Sequence, residues 1–449
     1  MQARKGAAMK AMTRRDWLKQ AASWAAFMSL AKTGEAQVRV SSSANVRGTA
    51  RACIFINLSG APSQMDTFDP KDGPWNPPDA DIRQYPGGIL LSNTYFPQLS
   101  KITNDLAVLR SVSSWEAEHT RGQFYMQTAH PSNPAFVAET PHIGAVVGLE
   151  KSTDDRLPPF FTLNSNAGQG ATFLGGKLQP MTAPTNAGGL ATLEHSFYGT
   201  ASQSRFEEKF KLLEDLEGPL RAAPFDRRMA DHADFYKSAR QLMYQQGISN
   251  VFRFTADDTG RYGDTNFARS LIVARNAIQA KSGTAFVNVT QQGWDTHQNM
   301  FDRRYSPSIY QLTNELDRAV GALVEDLKAS GDFAQTLIVM MGEFGRTPGA
   351  LNSRGGRDHH KYAMSVAMLG GGIRGGRAIG ATDRNGDRVS EPGWSAQRPI
   401  VMEDIASTIY SALGINWTKS ITDTPSGRKF EYVPYAEYGV YTAVEEVFG

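Results

Sequence analysis

Residues 336–345 read TLIVMMGEFG, and this stretch decides the fold class. Six largely apolar residues, three of them β-branched, lead into a glycine that is followed by an acid. A run that is apolar at nearly every position, rather than at alternate ones, indicates a strand buried on both faces. Such strands are typical of parallel sheets that are covered by helices on either side.

Similar runs recur along the chain before and after this stretch. They cover residues 52–58, 106–112, 160–163, 284–290 and 364–369. Between the runs, segments 309–327 and 400–413 carry apolar residues at helical spacing. The alternation predicts an α/β fold with a doubly wound, mostly parallel central sheet flanked by helices.

The middle of the chain has a different character. Residues 164–192 are rich in Gly, Ala, Thr and Asn, and residues 203–248 are charged and helical in pattern. We predict a helical and loop insertion over about residues 164–280, within a single domain spanning residues 51–449. A separate domain is the alternative, although the composition marks no linker.

The first 36 residues have the organisation of a twin-arginine signal peptide. Basic residues come first, then the pair Arg14-Arg15, then an apolar run over residues 21–31 that is too short to span a bilayer. We therefore expect cleavage after Ala36 and a flexible leader over residues 37–50. The twin-arginine export machinery would deliver the folded chain to the periplasm or cell envelope. An amphipathic helix with an accidental arginine pair is the alternative.

Composition argues against several classes of protein. The chain has 47 Lys and Arg against 45 Asp and Glu, and it stays near neutrality without residues 1–36, which argues against a nucleic-acid or anionic-membrane partner. Cys53 is the only cysteine, so no intramolecular disulfide is possible and a buried, inert thiol is expected. No stretch of the mature chain approaches transmembrane length.

Hydroxyls, acids and histidines follow the first two predicted strands, which is where sites form in open α/β sheets. Ser63 and Thr67 offer hydroxyl groups and Asp66 offers a carboxylate, with a local Gly/Pro turn as the alternative interpretation. His119 and Arg121 follow the second strand, and we interpret them as candidates for substrate binding.

Two later segments carry the types of residue that bind metal ions. In an extended chain Asp295 and His297 point the same way, which presents a carboxylate and an imidazole to Zn²⁺ or a similar ion. Asp358, His359 and His360 follow two glycines and form a second set of candidate ligands. A strand-end ion pair or helix cap is the alternative for Asp295 and His297.

The stretch after the most apolar run adds two further candidates, and one more lies nearby. Glu343 is a candidate metal ligand or general base, and Arg346 is a candidate clamp for an anionic substrate. A Glu–Arg pair that closes the loop is the alternative. Arg357 is a third candidate for substrate binding.

Four motifs in order resemble a bacterial family of twin-arginine-exported proteins known as domain of unknown function 1501. The motifs are GAPSQMDTFDPK at 60–71, GWDTH at 293–297, EFGRTP at 343–348 and GRDHH at 356–360. The resemblance runs from about residue 50 to the C-terminus. The family is often called sulfatase-like and is placed in the alkaline phosphatase-like superfamily.

The resemblance implies a site for one or two divalent cations, of Zn, Ca, Mg or Mn. It makes Asp295 and His297 an Asp/His ligand pair, Asp358 and His359 an Asp-His ligand dipeptide, and Ser63 or Thr67 the nucleophile. The chain departs from the superfamily pattern at 57–59, where NLS lacks the acid expected after the first strand. It departs again at 343–345, where EFG replaces Asp-His-Gly.

These observations favour an exported, metal-dependent hydrolase of phosphate or sulfate esters. Its substrate would be a small-molecule or glycan-linked anionic ester. The alternative is a non-catalytic cell-envelope binding protein with a degenerate hydrolase site.

Overall fold

The computed structural model describes residues 44–152, 156–165, 168–183, 185, 203–222 and 248–449. The predicted signal peptide and most of the predicted leader lie outside the described residues. Parts of the predicted insertion at 164–280 also lie outside them. No helix in the described ranges is both long and apolar enough to cross a bilayer.

The strands of the described chain are numbered β1 to β16 in sequence order. They are β1 Ala52–Leu58, β2 Ile82–Gln84, β3 Leu90–Ser92, β4 Leu106–Val112, β5 Phe160–Leu163, β6 Met181–Ala183, β7 Phe286–Gln291, β8 Thr336–Met341, β9 Gly345–Arg346, β10 His359–His360, β11 Met364–Leu369, β12 Arg377–Ile379, β13 Ala381–Thr382, β14 Val389–Glu391, β15 Ser420–Ile421 and β16 Phe430–Glu431.

Eight of these strands form one twisted central sheet, in the order β12-β4-β11-β8-β1-β7-β5-β6. Its neighbouring strands are parallel except around β11, which runs antiparallel to both β4 and β8. The small pair β9 and β10 stands apart from this sheet. The fold class predicted from the apolar runs is confirmed, and the run at 284–290 corresponds to a strand two residues further on.

The α-helices of the described chain are numbered α1 to α8. They are α1 His119–Thr128, α2 Ile143–Lys151, α3 Gln203–Ala222, α4 Ile248–Val251, α5 Ala256–Tyr262, α6 Asn266–Gln279, α7 Ile309–Ala329 and α8 Met402–Ala412. The predicted helices at 309–327 and 400–413 correspond to α7 and α8. Within the predicted insertion, β6 belongs to the central sheet and α6 packs against β7.

Two hydrophobic cores cover the two faces of the sheet. Ile54 and Ile56 of β1 pack into one core with residues of α6 and α7, while Cys53 and Phe55 pack into the other with residues of α1, α2 and α8. Both faces are therefore buried, which is why the strands are apolar at successive positions. Burial also raises the pKa of the Cys53 thiol far above its usual value, as expected for an inert cysteine.

Strand direction brings five chain segments to one edge of the sheet. Strands β1, β4, β7 and β8 are mutually parallel, so their C-terminal ends lie at the same edge. Because β11 runs the other way, its N-terminal end lies there too. The segments that leave the four parallel strands and the segment that enters β11 meet at this edge.

Candidate metal centre

Four side chains converge at this edge of the sheet. His119, Asp295, His297 and His359 each offer one ligand atom, and these atoms all lie within 4.8 Å of one another. His119 is the first residue of α1, Asp295 and His297 lie in the segment after β7, and His359 begins β10. Three imidazoles and one carboxylate form a donor set that zinc and similar transition metals prefer.

The spacing of the ligand atoms fits a small tetrahedral ion. Asp295 Oδ1 lies 3.2 Å from His119 Nε2, 3.0 Å from His297 Nε2 and 3.7 Å from His359 Nε2. The Nε2 atoms of His297 and His359 are 3.0 Å apart. Ligands bound to Zn²⁺ in a tetrahedron are separated by about 3.3 Å. The four side chains are therefore spaced as ligands before any movement.

The opposite nitrogen of each ring is held by an acceptor. Nδ1 of His119 lies 2.7 Å from Glu343 Oε1, Nδ1 of His297 lies 2.7 Å from Asp358 Oδ1, and Nδ1 of His359 lies 2.8 Å from the carbonyl oxygen of Ala117. Carboxylate and carbonyl oxygens only accept hydrogen bonds, so Nδ1 carries the proton in each ring. The Nε2 lone pairs of the neutral rings then face the centre, as in metal-binding histidines.

Such lone pairs need a cation between them. Two unprotonated Nε2 atoms at 3.0 Å, those of His297 and His359, repel each other unless a positive charge is shared. His119 Nε2 is buried and makes no hydrogen bond to any described residue. Buried polar atoms normally have a partner. The donor set therefore fits a bound metal ion.

Glu343 supports the site from behind rather than facing its centre. Its side chain is 1% exposed, and its two oxygens accept the N–H groups of Gly60 and Ala61, each at 3.1 Å, in addition to His119. The sequence suggested a metal ligand or general base. The structure instead gives Glu343 the role of fixing His119, because its acceptor positions are already used.

The charges around the cluster shift the pKa values of three of its members. The hydrogen bond to Glu343 raises the pKa of His119. Burial opposes ionisation of Asp295, but the hydrogen bond and charge of Arg346 outweigh it and lower that carboxyl's pKa. Burial lowers the pKa of His359, which favours the neutral form that binds metals.

Arg346 lies beside the ligands and is fully buried. Its Nη2 contacts Asp295 Oδ1 at 2.5 Å, and its Nη1 lies 3.2 Å from His297 Nε2. The remaining N–H groups bond to backbone carbonyl oxygens of Gly60, Ala61 and Arg357. All five donors have partners within the protein, so the predicted anion clamp is engaged with the cluster itself.

Two of the predicted ligands lie outside the cluster. Asp358 contacts Nδ1 of His297, and this hydrogen bond lowers the pKa of the carboxyl. His360 follows His359 in strand β10, so its side chain points to the opposite face. There its Nε2 lies 2.6 Å from the carbonyl oxygen of Asp387. The prediction that both are ligands is corrected accordingly.

The loop after β1 forms its own buried network. Ser63 Oγ donates to Asp66 Oδ2 at 2.5 Å, Thr67 Oγ1 donates to the Ser63 carbonyl at 2.7 Å, and Arg357 pairs with Asp66 at 2.6 Å. All four side chains are buried. Asp66 is therefore not in the ligand group, and Arg357 is committed to an ion pair. The predicted nucleophiles Ser63 and Thr67 are engaged within the loop.

Arg121 differs because it is largely exposed. It lies in the first turn of α1, two residues after His119, and pairs with Glu116 at 2.8 Å. The Glu118 side chain caps the same helix by accepting the N–H groups of Thr120 and Arg121, which fixes where α1 begins. A role for Arg121 in substrate binding stays a prediction.

Two glycines allow the segments to approach. A Cβ on Gly60 would lie 2.4 Å from the backbone nitrogen of Asp295, and Gly60 has a φ of +104°. A Cβ on Gly356 would lie 2.1 Å from the backbone carbon of His297. Any larger residue would push Asp295 or His297 out of place.

Sequence reasoning missed part of the site. It assigned His119 to substrate binding, whereas the structure places it among the ligands. It also missed the Ala117 carbonyl and Asn352, whose Nδ2 bonds to the His297 carbonyl at 3.1 Å and to Asp358 at 3.2 Å. The position of His119 after a strand of the sheet was the available signal for its role.

Comparison with known proteins gives one family and several distant structures. The family described as "Protein of unknown function (DUF1501)" matches residues 50–438. No curated protein sequence matches the chain.

The similar solved structures share little sequence with this chain. The PsFucS1 sulfatase from Pseudoalteromonas sp. is 12% identical, with a TM-score of 0.37 over 90% of this chain and 72% of that one. The phosphonate monoester hydrolase SpPMH from Silicibacter pomeroyi is 14% identical, with a TM-score of 0.36 over 81% and 73%. An alkaline phosphatase from the Antarctic bacterium TAB5 is 12% identical, with a TM-score of 0.35 over 72% and 92%. Similarity at this level does not establish an activity for this chain.

Proposed function

The chain belongs to the DUF1501 family, and from the geometry of its site we propose that it is a metal-dependent hydrolase of phosphate or sulfate esters. The observation that carries the proposal is the convergence of three Nε2 atoms and one carboxylate oxygen within 4.8 Å. Each imidazole is oriented by an acceptor on its far side, which is how catalytic metal sites hold their ligands.

We propose one ion of the zinc type, held by His119, Asp295, His297 and His359. Nitrogen-rich sites of this size suit Zn²⁺ and its neighbours, whereas Ca²⁺ and Mg²⁺ take oxygen ligands in larger number. When bound, such an ion polarises an ester oxygen and lowers the pKa of a nearby water or hydroxyl group. The protein's own residues hold the ion and orient the rings.

The site is open enough for a substrate to reach it. The Asp295 side chain is 49% exposed, while Glu343 and Arg346 behind it are buried. Exposed cations lie close by: Arg354 is 3.5 Å from Asp358, and Arg121 lies in the same helical turn as His119. Positive charge around an open metal site favours an anionic ester.

We further propose that the protein acts outside the cytoplasm, in the periplasm or cell envelope. This rests on the arrangement of residues 1–36, with its arginine pair and short apolar run. The twin-arginine machinery would then be its export partner, and the glycan-linked or small-molecule ester its substrate.

The second candidate is a non-catalytic binding protein of the cell envelope that keeps the metal. The burial of Ser63 and Thr67 favours it, because these two hydroxyls are bonded within their loop.

Turnover of aryl phosphates and aryl sulfates separates the two candidates. The mature protein loaded with Zn²⁺, Mn²⁺ or Co²⁺ should hydrolyse one class, and Asp295→Asn should lose at least 100-fold in kcat/KM. Asp302→Asn is the matched control, since Asp302 lies seven residues on and pairs with Arg304. A metal-loaded protein that turns over neither class contradicts the hydrolase and favours the binding protein.

A further inference from the structure

Arg346 has an arrangement that the proposed function does not use. Three of its five N–H groups are anchored to the backbone carbonyls of Gly60, Ala61 and Arg357. The other two point into the cluster, one to Asp295 Oδ1 and one to His297 Nε2. The anchors fix the guanidinium plane, so these two N–H groups face the metal ligands.

The two contacts differ in what happens when an ion binds. A carboxylate oxygen has two lone pairs, so Asp295 Oδ1 can hold Arg346 and a metal at once. His297 has its Nδ1 proton on Asp358, which leaves a single lone pair on Nε2. That lone pair can accept the Arg346 N–H or bind the ion, but not both.

We infer that Arg346 and the ion compete for His297 Nε2, and that ion binding releases Arg346 to hold the anionic group of the substrate. The inference rests on the proposed function. Loss of the His297 contact leaves one Nη1–H without an acceptor, next to the Nη2–H that stays with Asp295. Two adjacent donors of a guanidinium match two oxygens of a phosphate or sulfate group. The anion clamp would thus form only after the ion is bound.

The competition has a measurable consequence with opposite signs for the ion and the anion. A positive charge beside the cluster opposes binding of a second positive charge. Removing it in Arg346→Gln should tighten Zn²⁺ binding at least tenfold, measured by competition with a chromophoric chelator. The same variant, once loaded with zinc, should bind inorganic phosphate at least tenfold more weakly by calorimetry.

Arg354→Gln is the matched control. Arg354 is 58% exposed and pairs with Asp358 at 3.5 Å, but it contacts none of the four ligand atoms. Its removal should change Zn²⁺ affinity less than threefold, because exposed charges are screened. Arg346→Lys keeps the charge on a single-headed chain and should fall between wild type and Arg346→Gln. It also serves as the second variant if Arg346→Gln fails to fold.

The outcomes separate this inference from the proposed function. Weaker Zn²⁺ binding in folded Arg346→Gln or Arg346→Lys would mean that Arg346 only positions Asp295, and it would overturn the competition. Unchanged phosphate binding in the zinc-loaded variants would overturn the clamp. Wild-type protein that binds no Zn²⁺, Mn²⁺ or Co²⁺ would overturn the proposed function itself.

Discussion

At the scale of single residues, each histidine of the cluster is held through the nitrogen that faces away from it. Two of the three holders are carboxylates, Glu343 and Asp358, and they differ in burial: Glu343 is 1% exposed and Asp358 is 50% exposed. The buried carboxylate is tied to the fold by two backbone N–H groups. Asp358 is therefore the holder that can be changed with the least effect on stability.

Replacing Asp358 by Ala tests whether it is a holder or a ligand. The change removes the acceptor that orients His297, and loss of such an outer contact typically weakens metal binding about 10–100-fold. Zn²⁺ affinity measured by chelator competition should fall within that range while the thermal unfolding profile is kept. Complete loss of the ion, as expected for a ligand, would restore the role predicted from sequence.

The sequence could identify three of the four ligands for a physical reason. Asp295 and His297 alternate in an extended segment after a strand, and His359 follows a glycine pair near another strand, so both patterns are local. His119 could not be assigned in this way, because its role depends on where α1 starts. The Glu118 cap determines that start, and the partner of His119, Glu343, is 224 residues away.

At the scale of elements, the antiparallel strand β11 determines how the site is assembled. Sequence reasoning placed all candidate residues after strands, yet His359 precedes β11. The reversal brings that segment to the edge where the parallel strands end. The pairing of β10 with β9 then sets His359 opposite Arg346. Strand direction is not encoded in apolar runs, which is why this element could be predicted and its orientation could not.

Gly356 is where two of these elements touch. A Cβ at this position would lie 2.1 Å from the His297 backbone, so Gly356→Ala must move the segment after β7. We expect a loss of stability of about 2–4 kcal/mol by thermal or chemical unfolding, together with weakened metal binding. Gly349→Ala is the control, since a Cβ there meets no atom within 4 Å and only its φ of +71° is strained. Equal effects of the two changes would contradict the close approach.

At the scale of the whole molecule, two hydrophobic cores hold the sheet from both faces and so fix the ends of its strands. Ile338 and Met340 of β8 lie in one core, and Leu337 and Val339 lie in the other. This double burial made the fold class predictable from residues 336–345. The extent of the insertion over 164–280 and the export of the chain stay predictions.

The central claim is that His119, Asp295, His297 and His359 hold a metal ion. The most direct test is the metal content of the mature protein, purified without chelators, beside His359→Ala and His360→Ala. The two histidines are neighbours, but only His359 lies among the ligand atoms, while His360 bonds to the carbonyl of Asp387. We predict about one transition-metal ion per chain in wild type and His360→Ala, and loss of the ion in His359→Ala. Folded wild-type protein without metal, or equal loss in both variants, would contradict the site.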